Sequence, residues 1–311
     1  MQIFFRTVPI HLWFLTIWSV SKIVQYIFNQ QQTVWEMIWQ RSIDYYEQDK
    51  YKLFEYGILV TSTATSVIVL SIYSFFDFTQ KPAFIRKYKI NPNTNEPPDS
   101  TKFIKVISYS VINVILAVIP TTLLAYYGLK WRGIPSLYPL PNILTVLITC
   151  FINDHIFDVS AYTTHRIMHH RLLYKHIHKI HHEYKSTIAV AAFHSHPVEH
   201  LLVNLLPLVP GIVIMKCHIA TAWIYLIGHM LSSFITHSGY HLPFLNSPEY
   251  HDFHHMKFEC NYSVLGLMDW IFGTDKLFNN TIYHKRDKIL FSLKSAHELY
   301  PKEDGKVVKT Q

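Results

Sequence analysis

The sequence predicts an all-α polytopic membrane protein, and three observations predict it. Half of the 311 residues are apolar, 15% are aromatic and only 16% are charged, too apolar a balance for a water-soluble domain of this length. The apolar residues run in blocks of bilayer length rather than alternating. Histidine, with 21 copies, is crowded between His165 and His255, at the ends of those blocks.

The first apolar stretch, 8–28, is interrupted by Lys22 and has no small-residue cleavage site, so it reads as an uncleaved anchor rather than a signal peptide. Stretches 53–76 and 103–128 are each long enough to cross a hydrocarbon core of about 30 Å. Stretch 141–160 and the pair 197–216 and 218–235 are further spans. Pro207, Pro210 and Gly211 predict a kinked or re-entrant first arm for that pair. Loop 91–100, with Pro92, Pro97 and Pro98, reads as a linker. The expected organisation is an anchor and basic loop over 1–100, membrane helices over 101–160 and a histidine-rich helical domain over 161–290 that includes a membrane hairpin at 197–236. A polar tail over 291–311 completes it.

The formal charge of +7 does not signal nucleic acid, because the basic residues are spread through loops flanking the spans. Lys81, Arg86, Lys87, Lys89, Lys102 and Lys105 surround the second loop, whereas the connection after Gly128 carries only Lys130 and Arg132. By the positive-inside rule the former is cytosolic. Counting crossings then brings 165–182 and 237–255 to that same side. Cys150, Cys217 and Cys260 form no CxxC pair and no disulfide framework.

Imidazole is the commonest metal ligand. His178, His181 and His182 spell HxxHH, as do His251, His254 and His255; His165 with His169 and His237 with His241 are HxxxH pairs. On a helix such spacings send the rings from one face, and segment 161–185 reads as helical, with a break near Leu172–Tyr174. These ten imidazoles exceed what one ion accepts, about four to six, and so predict a two-metal site. His170, five residues after His165, points elsewhere and is expected to support the site or face solvent. Glu183, Asp154 and Asp252 are candidates to orient the rings, or else surface charges. His194, His196 and His200 are divided between structural and site-lining roles. His11, His218 and His229 read as packed or interfacial, and His176, His284 and His297 as solvent-facing. All-imidazole sites suit zinc, copper, iron or nickel. A membrane-face site favours a lipid substrate, oxidation of an unactivated C–H bond requires a redox metal, and zinc has no redox chemistry, so iron is the expectation.

The segments HRIMHH, HKIHHEY, HPVE, HSGYHLP, HDFHH and NYSVLGLMDWIFGTD, in this order from about 153 to 275, resemble the fatty acid hydroxylase superfamily. That superfamily includes C4-methylsterol oxidases, sterol C5-desaturases and fatty acid 2-hydroxylases. The methylsterol oxidase branch and the branch of fatty acid hydroxylase domain-containing proteins are the nearest in motif. The resemblance implies a multi-pass endoplasmic-reticulum protein with a cytosol-facing centre of two iron ions. It implies O2 as co-substrate, electrons from NAD(P)H relayed by cytochrome b5 or its reductase, and a lipid substrate, a sterol oxidised at a C4 methyl. It places the three histidine boxes on His165 and His169; His178, His181 and His182; and His251, His254 and His255. His237 matches a further histidine, His196 a site-lining one, and Asn261 a residue that holds a metal-bound water. Where methylsterol oxidases read HSGYD, this chain has His241. A fatty acyl, sphingoid or ether lipid substrate and a non-catalytic zinc-binding or transport protein are the alternatives.

Overall fold

The computed structural model describes residues 8–95 and 97–302, with side chains from His11 onward, and the last nine residues of the tail expected over 291–311 lie outside them. Among the described residues the only regular elements are helices. The larger ones are α1 (Val8–Ile27), α2 (Val34–Tyr45), α3 (Lys50–Thr79), α4 (Ser100–Arg132), α5 (Ile143–Met168), α6 (Pro197–Ile214), α7 (Ile219–His237) and α8 (Glu249–Lys257). Five of them, α3 to α7, are long and apolar enough to cross a bilayer. The end expected for the stretch 141–160 moves: α5 does not stop at 160 but continues eight residues, and its last turn carries His165.

Each of these five helices starts at a residue whose side chain accepts from an otherwise orphaned backbone N–H: Asp49, Asp99, Asn142, His196 and His218. Such caps matter most beside lipid, where no water can take their place. α4 is not regular throughout. Val114–Val118 forms a π turn ahead of Pro120, a residue that cannot donate to the ladder. α6 is interrupted as Pro207, Pro210 and Gly211 suggest: a π turn over His200–Leu205 precedes a separate helical stretch from Leu208.

The five helices run alternately, so α3, α5 and α7 end where α4 and α6 begin. The loops 80–99, 169–196 and 238–302 therefore share one end of the bundle. Contacts across them are direct: Ile90 N–H donates to Gly239 O, His241 N–H to Tyr88 O, and Lys105 Nζ to Glu183. A buried ion pair, Lys89 with Asp77 at 2.6 Å, ties α3 to this layer, and the ammonium lies 4.2 Å from the centre of the Tyr240 ring. The opposite end holds the main apolar core, built around Trp39, Leu53, Phe54, Leu129 and Trp223. There Trp39 Nε1–H donates to Leu137 O and Lys50 to Pro135 O. α1 lies along α5, with His11 Nε2 3.4 Å from Asp154 and Ser21 Oγ accepting from Val34 N–H. Val60, Val67, Ile68, Val111 and Ile115 on α3 and α4 are each more than half exposed, which suits lipid and not water.

The segment 161–185 is not the single helix expected from its spacing. α5 ends at Met168, a short helix spans Arg171–His176, and His178–Glu183 winds as a tighter 3-10 turn. The three buried cysteines are free, and His297, expected in solvent, is half-buried with Nε2 donating to Ile90 O.

A Cβ on Gly57 of α3 would lie 2.0 Å from Trp223 Cζ2 on α7. Gly57→Ala is therefore expected to destabilise the fold by about 1–3 kcal/mol through overpacking. A lowered thermal midpoint of the detergent-purified protein would show it, and an unchanged midpoint would contradict the close α3–α7 contact.

Candidate metal centre

Nine of the ten histidines converge in the loop layer, and they divide into two groups. His165, His169, His178, His182 and His254 form one; His181, His237, His251 and His255 form the other. Within each group the facing ring nitrogens lie within 4.8 Å of one another. Each HxxHH box serves both groups. The i and i+4 residues of the first box, His178 and His182, join the first group while His181 joins the second. In the second box His251 and His255 join the second group, and His254 crosses to the first. The two groups abut, with the His182 and His255 rings 4.6 Å apart.

Backbone carbonyls decide which nitrogen of each ring is free. Nδ1–H of His165 donates to Tyr262 O at 2.7 Å, that of His254 to Cys260 O at 2.6 Å, and that of His255 to Tyr184 O at 2.9 Å. His237 donates likewise to Ser233 O at 2.8 Å and His181 to His194 O at 3.2 Å. A carbonyl can only accept, so all five present an unprotonated Nε2 to the centre. In the second group three of four members are fixed in this way. Three buried lone pairs thus point at one another with no hydrogen between them, an arrangement that repels unless a cation occupies the middle. His254 Nε2 is buried and has no protein partner at all.

Spacing agrees with this donor set. His178 Nε2 lies 2.8 Å from His169, 3.0 Å from His182 and 3.2 Å from His165. His251 Nε2 lies 2.8 Å from His237 and 3.0 Å from His255. Two nitrogens at right angles on an ion, each about 2.1 Å from it, stand about 3 Å apart. Burial, and secondly the neighbouring imidazoles, hold His178, His182, His251 and His255 well below the ordinary histidine pKa. The rings are neutral at physiological pH and need lose no proton to bind metal.

His241 is the exception and corrects the expectation of ten. Its Nε2–H donates to Lys288 O at 2.8 Å, and it belongs to neither group. α7 ends at His237, and Gly239 turns the chain with φ +70°, so the HxxxH spacing there is not on a helix. A Cβ at Gly239 would lie 2.8 Å from Thr187 O, which makes glycine necessary at the turn.

The residues expected around the ligands also sort differently. His170 is exposed. His196 is half-buried and caps α6, accepting from Val198 N–H, and does not line the cavity described below. Asn261 adopts φ +58° and donates from Nδ2 to Tyr250 O, holding the turn whose neighbouring carbonyls, of Cys260 and Tyr262, orient His254 and His165. Asp252 braces loops, accepting from Thr187 N–H and Asn91. Glu183 accepts from His194 Nε2–H at 3.0 Å, one step removed from His181. Asp154 lies against His11 and away from both groups. The residue that sequence reasoning missed is Glu199. It is buried, and its Oε1 lies 2.8 Å from His178 Nδ1. The only signal was its place in His-Pro-Val-Glu, one turn into a helix that starts at Pro197.

A cavity of about 1190 Å³ reaches from this centre through the bundle. His165, His178, His181, His237 and His251, from both groups, face it at one end, and α3, α4, α6 and α7 supply mostly apolar walls. Its size exceeds the roughly 300–1,000 Å³ of ordinary small-molecule pockets.

Two adjacent all-imidazole groups that could hold metal, at the end of a mostly apolar cavity among helices long enough to cross a bilayer, define the class: a multi-pass membrane protein with a candidate metal centre. Residues 150–274 match the fatty acid hydroxylase family. The chain is 34% identical over 295 residues to fatty acid hydroxylase domain-containing protein 2 of Macaca fascicularis and of Homo sapiens, covering 93% of this chain and 87% of each relative. It is 30% identical over 270 residues to methylsterol monooxygenase 1 of Gallus gallus, covering 84% of this chain and 88% of that protein. It is 31% identical over 234 residues to fatty acid hydroxylase ahd1 of Mycosarcoma maydis, covering 74% and 60%. No solved structure matches. The chain belongs to the fatty acid hydroxylase family, whose members are iron-dependent oxygenases, and it is a multi-pass membrane oxidoreductase.

Two substitutions separate ligands from neighbours. His254→Ala is expected to lower the metal bound per purified chain, while His241→Gln, which keeps a donor for Lys288 O, leaves it unchanged. Glu199→Gln should weaken metal affinity about 10–100-fold, the usual effect of losing a carboxylate that orients a ligating histidine. Elemental analysis of monodisperse protein, with competition against a chelator, reads all three.

Proposed function

We propose that this protein is an O2-dependent lipid monooxygenase whose nine clustered histidines hold two iron ions, and that it hydroxylates the C4 methyl group of a sterol. One observation carries the reading: histidines of both groups form the end wall of an apolar cavity large enough for a lipid. His165, His169, His178, His182 and His254 would hold one ion, and His181, His237, His251 and His255 the other. Bound iron supplies the redox capacity to activate O2 against an unactivated C–H bond, which protein side chains lack.

The chain does the rest. The walls of α3, α4, α6 and α7 bind the hydrocarbon body and exclude water from the reacting carbon. The carbonyls of Tyr262, Cys260, Tyr184, Ser233 and His194 hold the rings in one orientation. A sterol is favoured by the similarity to methylsterol monooxygenase 1 over most of both chains. The histidine that stands where methylsterol oxidases carry aspartate, His241, makes its bond to Lys288 O, so the difference leaves the nine-nitrogen donor set unaltered. Electrons come from NAD(P)H through cytochrome b5, and the protein resides in the endoplasmic-reticulum membrane with its histidine end in the cytosol, where the lysine-rich loop after α3 also lies.

A fatty acyl substrate is the second reading, favoured by the similarity to a fatty acid hydroxylase and by a cavity that an extended chain also fills. Expression in cells lacking methylsterol oxidase, fed 4-methyl sterols, separates the two. Oxidised sterols in the wild type and none with His254→Ala are expected. Unchanged sterols from iron-loaded protein, with new hydroxylated acyl lipids, would overturn the sterol assignment.

Orientation has its own check at two glycosylation sequons, Asn261-Tyr-Ser and Asn279-Asn-Thr. Asn261 is buried and hydrogen-bonded, so only exposed Asn279 reports on sidedness. It is expected to carry no glycan, and a glycan there would place the histidine end in the lumen.

A further inference from the structure

Next to the histidine groups the cavity holds a polar pair that the ligand set does not use. α6 opens with a short helical turn and then the π turn His200–Leu205, packed against the π turn of α4. Such bulges are frequent at functional sites. Here the turn sets His200 and Asn204 side by side in the cavity wall. Asn204 Nδ2 lies 3.1 Å from His200 Nδ1, with Ser195 Oγ at 3.5 Å. An amide nitrogen donates and does not accept, so Nδ1 is the acceptor and the ring proton sits on Nε2. No hydrogen bond to a protein group occupies that nitrogen. A buried histidine thereby presents one N–H to whatever fills an otherwise apolar cavity, and a buried donor left unpaired is costly.

Its place along the cavity follows from its neighbour. Glu199, the preceding residue, lies 2.8 Å from His178, and all three line the cavity, so His200 belongs to the part of the wall beside the first histidine group. The group it would bind is uncharged. Among the described residues lining the cavity the only lysine or arginine is Lys288, and a carboxylate taken into such walls without a cation would be strongly disfavoured.

We propose that His200, held in one tautomer by Asn204, binds a neutral oxygen of the substrate, a hydroxyl or a carbonyl, close to the carbon that is oxidised. The enzyme then selects oxygen-bearing lipids over hydrocarbon of the same shape. This rests on the lipid-oxidising reading of the cavity and narrows its substrate class. A 3-hydroxysterol fits, since the hydroxyl-bearing carbon adjoins C4; a long-chain alcohol presents the same chemistry.

Equilibrium binding to the full-length, metal-loaded protein in nanodiscs tests this without turnover. The probes are two matched pairs, a 3-hydroxysterol with its 3-deoxy counterpart and a long-chain alcohol with its alkane. The wild type should bind the hydroxyl member of at least one pair about 10–100-fold more tightly, the range for a buried donor that finds or loses its partner. His200→Phe and Asn204→Leu should each shrink that gap to less than about threefold, and His200→Gln, which keeps a side-chain N–H, should preserve most of it. Equal binding within both pairs by the wild type would overturn the proposal, as would a gap that survives both His200→Phe and Asn204→Leu. A gap for the alcohol pair alone, or a sterol gap without sterol turnover, supports the oxygen-binding site and removes only the sterol oxidation assigned above.

Discussion

The structure depends on lone pairs that face one another. Five rings are tied by Nδ1–H to backbone carbonyls, so their Nε2 atoms reach the buried centre with no proton to share. In water these nitrogens would be solvated or protonated, and burial opposes the protonated form of those in the loop layer, His181, His254 and His255. A cation is what turns that repulsion into attraction, and the geometry around it is set before it arrives. The loop layer is accordingly fastened by bonds that have no other purpose: Lys89 to Asp77, Asp252 to Thr187, Asn261 to Tyr250.

The partition of each HxxHH box between two groups follows from this layer. Unsplit boxes would give the same five and four donors, so what the crossing changes is the coupling of the two groups and not their size. Because His181 and His254 each cross over, both HxxHH boxes contact both groups, and displacement of α8 or of the turn 178–183 disturbs both together. The helices supply the remainder from fixed positions: His165 on the last turn of α5 and His237 at the end of α7. The apolar core lies at the far end of the bundle, which leaves the middle open as the cavity.

Much of this was legible in the sequence, because bilayer length and histidine spacing are both local properties. The five spans follow from runs of apolar residues, and α6 breaks at Pro207, while Pro210 sits in the first turn of the helical stretch that follows. Nine ligand candidates follow from spacing alone. What stayed hidden depends on backbone conformation. His241 has a helical spacing from His237, but Gly239 ends the helix between them. The 3-10 winding of 178–183 and the separation of α5 from the following short helix are tertiary outcomes, imposed by rings that must turn inward. Around the ligands, His196 stood out in the sequence because it is a histidine, yet it serves as a cap. Glu199 and His200, three and four residues after His196, take the places beside the cavity.

The central claim is that the two histidine groups hold two ions as one unit. Mössbauer spectroscopy of the full chain purified with iron tests it most directly, taken together with iron per chain by elemental analysis. Two irons per chain that are magnetically coupled are expected of ions held in abutting ligand groups. One iron per chain at full occupancy, or two irons with no magnetic coupling, would contradict it.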